Sequence, residues 1–182
     1  PVRLSPHGDA FPCLSPAARY VVPINVLEHF LEDVGRHGGE YRGFPRMGTG
    51  LQHLESPALR GSLHMKGDQT GILVTDIEPT APAAGFIRKG DVIMEVDGIR
   101  VANDGSIPFR AGERVALRYY FSQLFPGDRV KLELLRDSKV IATTVPLFIP
   151  QYLCPVHFTG QPPSYCVLGG LVFTILSDPY IE

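Results

Sequence analysis

The chain holds 182 residues, 44% of them hydrophobic, with a formal net charge of −2. That length allows one domain with a sizeable core, or one small domain with pieces of its neighbours. The 17 Lys and Arg are scattered rather than clustered, which gives no case for nucleic-acid binding. The longest apolar stretch, around "VLGGLVFTIL", falls far short of the ~20 residues of a membrane-spanning helix.

The three cysteines, Cys13, Cys154 and Cys166, are an odd count without paired spacing. They argue against a disulfide framework and for a reducing compartment. The chain opens at Pro1 without an initiator Met or a charged leader, and is read as a segment of something longer.

In chain order, "YVV" at 20–22 reads as a short strand stopped by Pro23. From Asn25, a candidate N-cap, the residues Val26, Leu27, Phe30, Leu31 and Val34 recur at helical spacing. Glu32-Asp33 reads as a solvated helix face, and His29 as a packed or capping residue. "GRHGGEYRGFPRMG" has no period and reads as linker and loop. "MGTGLQHL" is a strand entry. Ser56-Pro57 opens a short helix, "SPALRGSLHM". "GILVTDIEP" reads as a buried strand, and "APAAG" as a short helical turn ended by Gly85.

The stretch "IRKGDVIMEVDGIRV" at 87–101 predicts a tight hairpin. The Asp97-Gly98 turn suits positive φ, and the alternation places Val92, Met94 and Val96 on one face with Ile93 on the other. "GERVALRYYFSQLF" at 112–125 reads as an amphipathic helix stopped by Pro126-Gly127. "DRVKLELLRDSKVIATTVPL" is a hairpin around Asp137-Ser138, and "YCVLGGLVFTIL" supplies one or two further strands. Short strands with two helices predict a mainly β fold with helices (α+β), built as a small, partly open β-barrel.

The run "GILVTDIEPTAPAAGFIRKGDVIMEVDGIRV" resembles the PDZ domains of the HtrA/Deg serine proteases. The matched features are the apolar strand, "P-x-x-A-A", the "K-G-D-V-I" turn and the "V-D-G-x-x-V" hairpin. The flanking segments "NDGSIPFRAGERVALRYYFSQLFPGD" and "GQPPSYCVLGGLVFTILSDPYIE" resemble the plant and algal Deg branch, nearest to its chloroplast members. "GDAFPCLSPAARYVVPINVLEHFLEDV" resembles the end of that family's trypsin-like domain. The resemblance implies three parts: 1–34 as the end of the protease domain with a linker helix, 35–150 as a PDZ domain, and 151–182 as an extension towards a second PDZ-like domain.

A PDZ domain binds an extended peptide by adding it to a strand edge. A loop of backbone amides ahead of that strand captures the terminal carboxylate. The matching loop here is "YRGFPRMGTG", and the opposite wall of the groove is the 113–125 helix. The resemblance thus implies peptide-binding roles for Gly43, Phe44, Arg46, Met47, Gly48, Thr49, Leu51, Leu117 and Phe121. Two readings stay open at these positions: Phe44, Leu117 and Phe121 as pocket or as plain core, and Arg46 as carboxylate contact or as solvated charge. Pro45 removes one amide from the loop, which weakens the case for a nest.

Chemistry is not expected of the chain as given. The Ser motif of a Ser-His-Asp triad is absent, and His7, His29, His37, His53, His64 and His157 show no metal-ligand spacing. No cofactor or metal is expected. The resemblance implies a parent that is an ATP-independent serine endopeptidase of protein quality control, located in the chloroplast stroma or at the thylakoid. Its expected partners are unfolded or C-terminal peptide segments, and it would form homo-oligomers through the protease domain. Arg19 before Tyr20, and Asp9 in the "G-x-A-F" strand, depart from the family pattern. They leave open the alternative of a non-catalytic Deg-like scaffold or peptide-binding module.

Overall fold

The computed structural model describes residues 21–150, 152, 154, 162 and 164–177. The readings placed on Cys13, Asp9, Arg19 and Tyr20 lie outside the described residues. The chain divides into two compact units, Pro1–Tyr41 and Arg42–Glu182.

In the first unit, helix α1 spans Ile24–Arg36. Val21 and Val22 belong to no strand and are exposed. Pro23, not Asn25, takes the N-cap: its extended backbone (φ −62°, ψ 147°) fits that position, and its carbonyl accepts the Val26 amide at 3.1 Å. The expected apolar stripe is largely exposed at Leu27, Phe30 and Leu31, while His29 and Asp33 are the buried residues of the helix. Asp33 is therefore not a solvated residue. Its carboxylate lies 2.9 Å from Nδ1 of His37, and one turn of helix brings the two together. Glu32 is exposed and pairs with Arg36.

The second unit carries β1 (Thr49–His53), α2 (Pro57–Ser62), β2 (Ile72–Ile77), β3 (Val92–Val96), β4 (Ile99–Arg100), β5 (Ser106–Arg110), β6 (Glu113–Ala116), α3 (Leu117–Phe121), β7 (Arg129–Arg136), β8 (Lys139–Pro146), β9 (Tyr165–Leu168) and β10 (Leu171–Thr174). A 3-10 turn at Pro82–Gly85 precedes β3. The main sheet is antiparallel in the order β1-β2-β3-β7-β8, with β4 on β3. Beyond β8 the chain returns to the start of the sheet. Arg46 and Phe148 exchange backbone hydrogen bonds at 3.0 and 3.1 Å and partly close the barrel.

β3 is central, so both its faces are covered and its sequence is almost wholly apolar. The larger core gathers Ile72, Val74, Ile93, Val96, Val130, Leu132 and Leu134 with Leu117 and Phe121 of α3. A smaller one sets Val92, Met94, Leu54 and Leu135 against Leu59 and Leu63. Val96 thus sides with Ile93, not with Val92 and Met94. A register shift between Ile93 and Glu95 inverts the alternation that the sequence suggests.

The helix read over 112–125 is shorter than expected. Glu113–Ala116 instead forms β6, paired with β5, with Ser106 opposite Ala116 and Ile107 opposite Val115. The hairpin is pinned by side chains. Arg114 Nε donates to Ser106 Oγ at 2.7 Å and its Nη2 to the Ser106 carbonyl at 2.8 Å, and Ser106 Oγ donates to Asp104 Oδ1 at 2.6 Å. Those bonds across the hairpin override a helical local pattern.

The Asp97-Gly98 hairpin forms as read. Both residues have positive φ (49° and 79°), the mirror-image turn whose twist matches that of its strands. A Cβ on Gly98 would meet nothing within 4 Å, so the demand there is conformational rather than steric. Gly98→Val is expected to cost about 1–3 kcal/mol of stability, with the peptide affinity of the folded molecule unchanged. Urea unfolding checks the first part; a parental midpoint would contradict it.

Candidate functional site

In the sheet order β1 is an edge strand, bonded to β2 on one side only. Ahead of it the chain runs through a short loop at Met47-Gly48. Gly48 has φ +73°, and a Cβ there would lie 2.5 Å from Cβ of Ala81 and 2.7 Å from the Phe148 ring. Its carbonyl accepts the Glu78 amide at 2.9 Å. Both backbone geometry and packing therefore require glycine.

The turn leaves particular amides available. Pro45 has none, and that of Arg46 is spent on Phe148. Among the described residues, the Met47 and Gly48 amides donate to no backbone carbonyl. Adjacent amides at such a turn suit an anion. The loss at Pro45 is thus offset two and three residues further on, at Met47 and Gly48.

Between this turn, β1 and α3 lies a cleft of about 170 Å³. Of the nine residues assigned from the sequence, Arg46, Met47, Gly48, Thr49, Leu51 and Phe121 line it. Gly43, Phe44 and Leu117 are not among its lining residues. Met47 and Phe121 are buried and Leu51 is half-buried, which makes the floor apolar. Glu78 and Arg118 line the cleft as well, and sequence reasoning missed both. Arg118 is three residues ahead of Phe121, a spacing that puts both on one helix face, and that signal was available. Glu78 follows the end of β2 and arrives only through the pairing of Thr49 with Ile77.

Arg46 is held from two sides. Its guanidinium lies 3.7 Å from the Glu78 carboxylate and donates to the Tyr152 hydroxyl. The helix wall is anchored elsewhere. Tyr120 Oη donates to Asp97 Oδ2 at 2.7 Å, and Asp97 Oδ1 accepts the Lys131 amide at 2.8 Å. The turn that seemed only to close a hairpin therefore also holds α3.

Burial, then the bond to Asp97 and its negative charge, push the Tyr120 phenol up to about 12. A pKa raised on folding contributes stability that is full below the unfolded value of about 10 and is lost as pH rises through the folded value. The parent's stability advantage over Tyr120→Phe is expected to be constant up to pH 9 and to shrink between pH 10 and 12. Urea midpoints across that range check this, and a gap that widens would contradict it.

No group of potential metal ligands occurs among the described residues. No described helix is long and apolar enough to cross a membrane.

Residues 45–147 match the PDZ domain family model, and residues 154–182 match a second PDZ domain model. Protease Do-like 2, chloroplastic, of Arabidopsis thaliana is 43% identical over 90% of this chain, which covers 26% of that protein. Protease Do-like 4, mitochondrial, of the same plant is 33% identical over 90% of the chain and covers 31% of its own length. The chain thus spans about a quarter to a third of these relatives. A solved structure, the HtrA-type protease AlgW with decapeptide, superimposes with a TM-score of 0.50 at 23% identity, over 72% of this chain and 36% of that one. That likeness bears on the fold, and it agrees with the partly open barrel described above.

Proposed function

Because the chain belongs to the PDZ-domain family, in its Deg/HtrA branch, we propose that the cleft between β1 and α3 binds the C-terminal end of an extended polypeptide. The carrying observation is the combination of an open strand edge, an apolar floor and two unspent amides at one end of the cleft. The peptide pairs with β1, its terminal carboxylate takes the Met47 and Gly48 amides, and its last side chain packs on Met47, Leu51 and Phe121. Arg46 adds positive charge beside the carboxylate.

The three-part organisation is proposed with it: 1–34 ending a trypsin-like domain, 35–150 as the PDZ domain and 151–182 leading into a second PDZ-like domain. The two family matches and the division after Tyr41 support this. The parent is then a serine endopeptidase in which this segment captures substrate ends or regulates assembly, as a homo-oligomer. The name of the Arabidopsis Do-like 2 relative supports the chloroplast as its compartment, with the stroma or the thylakoid as the place within it.

A single apolar side chain contributes about 1.5–3 kcal/mol, so affinity should be micromolar or weaker once association costs are counted. Fluorescence anisotropy with a labelled decapeptide ending in an apolar residue tests the reading. Saturable binding that falls at least tenfold when the peptide is amidated is the expected result. Equal affinity for acid and amide would overturn carboxylate capture.

A further inference from the structure

The sequence carries two Asp-Gly pairs, Asp97-Gly98 and Asp104-Gly105. A glycine has no Cβ to shield its amide nitrogen, which can reach the carboxyl carbon of the aspartate before it. The structure treats the two pairs differently. Gly105 is buried, its amide donates to the Ala102 carbonyl at 3.0 Å, and a Cβ there would lie 2.7 Å from Cδ1 of Ile72. At that pair the attacking nitrogen is committed. Asp97 and Gly98 are both exposed at a hairpin tip, and the Gly98 amide donates to no backbone carbonyl among the described residues. At this pair the carboxylate is what is held. Its Oδ2 accepts the Tyr120 hydroxyl at 2.7 Å, and its Oδ1 accepts the Lys131 amide at 2.8 Å.

We propose that Asp97-Gly98 is a modification site, where aspartate converts to isoaspartate through a succinimide, and that the Tyr120 hydroxyl restrains the conversion. The Gly98 nitrogen bonds to Cγ of the protonated Asp97 carboxyl. One carboxyl oxygen leaves as water, taking the carboxyl proton and the amide proton, and a five-membered ring closes. Water then opens the ring. Addition at the side-chain carbonyl restores aspartate. Addition at the main-chain carbonyl leaves the chain running through Cβ and Cγ, which is isoaspartate. One water is lost and one regained, so solvent is the only co-reactant. To meet the Gly98 nitrogen, the carboxyl group must turn out of its bonds to Tyr120 and Lys131. Each bond therefore raises the barrier, and the Tyr120 bond is the one that a side-chain change removes. The consequence reaches α3. Isoaspartate adds a methylene to the turn between β3 and β4 and moves the free carboxylate onto Cα, so the anchor that Tyr120 uses is lost.

The test ages the whole 182-residue chain at neutral pH for several weeks, folded and in urea. Trypsin then separates the two pairs, because cleavage after Lys89, Arg100 and Arg110 releases residues 90–100 and 101–110. Isoaspartate is resolved from aspartate by chromatography and placed by electron-transfer fragmentation. In urea both pairs should convert at similar rates. In the folded parent both should slow, with Asp97 converting ahead of Asp104. Tyr120→Phe should speed conversion at Asp97 by about three- to tenfold, the size of one exposed hydrogen bond to a charged group, and leave Asp104 unchanged. Asp104 is thus an internal gauge of general loosening, and circular dichroism checks that the variant folds. If Tyr120→Phe speeds both pairs by the same factor, or speeds neither, the restraint by Tyr120 is wrong. Isoaspartate at Asp104 ahead of Asp97 in the folded parent, or none at Asp97 in folded Tyr120→Phe, would overturn the site itself.

Discussion

Asp91→Ala is expected to destabilise the second unit by about 3 kcal/mol, at the low end of the cost of breaking a buried ion pair. Asp91 is the aspartate of the "K-G-D-V-I" turn, and it is almost wholly buried. Its Oδ1 accepts Arg136 Nε at 2.8 Å, while its Oδ2 accepts Arg136 Nη2 at 2.7 Å and the Arg88 amide at 2.8 Å. One carboxylate thus ties the entry of β3 to the end of β7 and closes the turn ahead of β3. Removing it strands a guanidinium that is 18% exposed, with the Phe86 carbonyl still accepting from Nη2 at 3.0 Å. The residual exposure and that bond are why the low end applies. The double replacement Asp91→Leu with Arg136→Met should recover much of the loss, because two apolar groups leave no charge unpaired. Urea unfolding of the parent, the single and the double variants measures this. A single variant that unfolds with the parent would show that the pair is not a structural clamp.

Gly48→Val should be the most damaging change at the cleft, with a stability loss of roughly 2–5 kcal/mol from positive φ and overpacking together. The added side chain meets Ala81 and the Phe148 ring, which belong to the two segments that hold the turn in place. Relief requires the turn to move, and the Met47 and Gly48 amides move with it. Peptide affinity per folded molecule should therefore fall at least tenfold as well. Gly98→Val, which loses stability for a conformational reason alone, is the control that should keep its affinity. If Gly48→Val binds as the parent does, the turn does not hold the carboxylate.

What the sequence revealed and what it hid divide by distance along the chain. The Asp97-Gly98 and Asp137-Ser138 hairpins were legible because turn chemistry is local. So were α2, opened by Ser56-Pro57, and the edge strand behind its glycines. Asp91 stood out in the motif, but its partner lies 45 residues on, and nothing in the spacing names Arg136. The β3 register misled for a similar reason: the shift beside β7 is a property of the pair of strands, not of either sequence. Glu113–Ala116 looked helical and pairs as a strand because Ser106, itself bonded to Asp104, accepts both bonds from Arg114. At the cleft, family likeness pointed to the loop ahead of β1 and to Phe121, and residues of both line it. Leu117 and Phe121 both join the core, yet of the two only Phe121 also lines the cleft, together with Arg118.

The central claim is that a peptide's free C-terminus enters between β1 and α3. Amide chemical-shift mapping during titration with an apolar-ended peptide, repeated with its amidated twin, tests it most directly. The account predicts shifts concentrated at Arg46–His53 and Leu117–Phe125 for the free acid, with those at Met47 and Gly48 lost for the amide. Shifts confined to residues outside these two segments, or the same shifts at Met47 and Gly48 with both peptides, would contradict it.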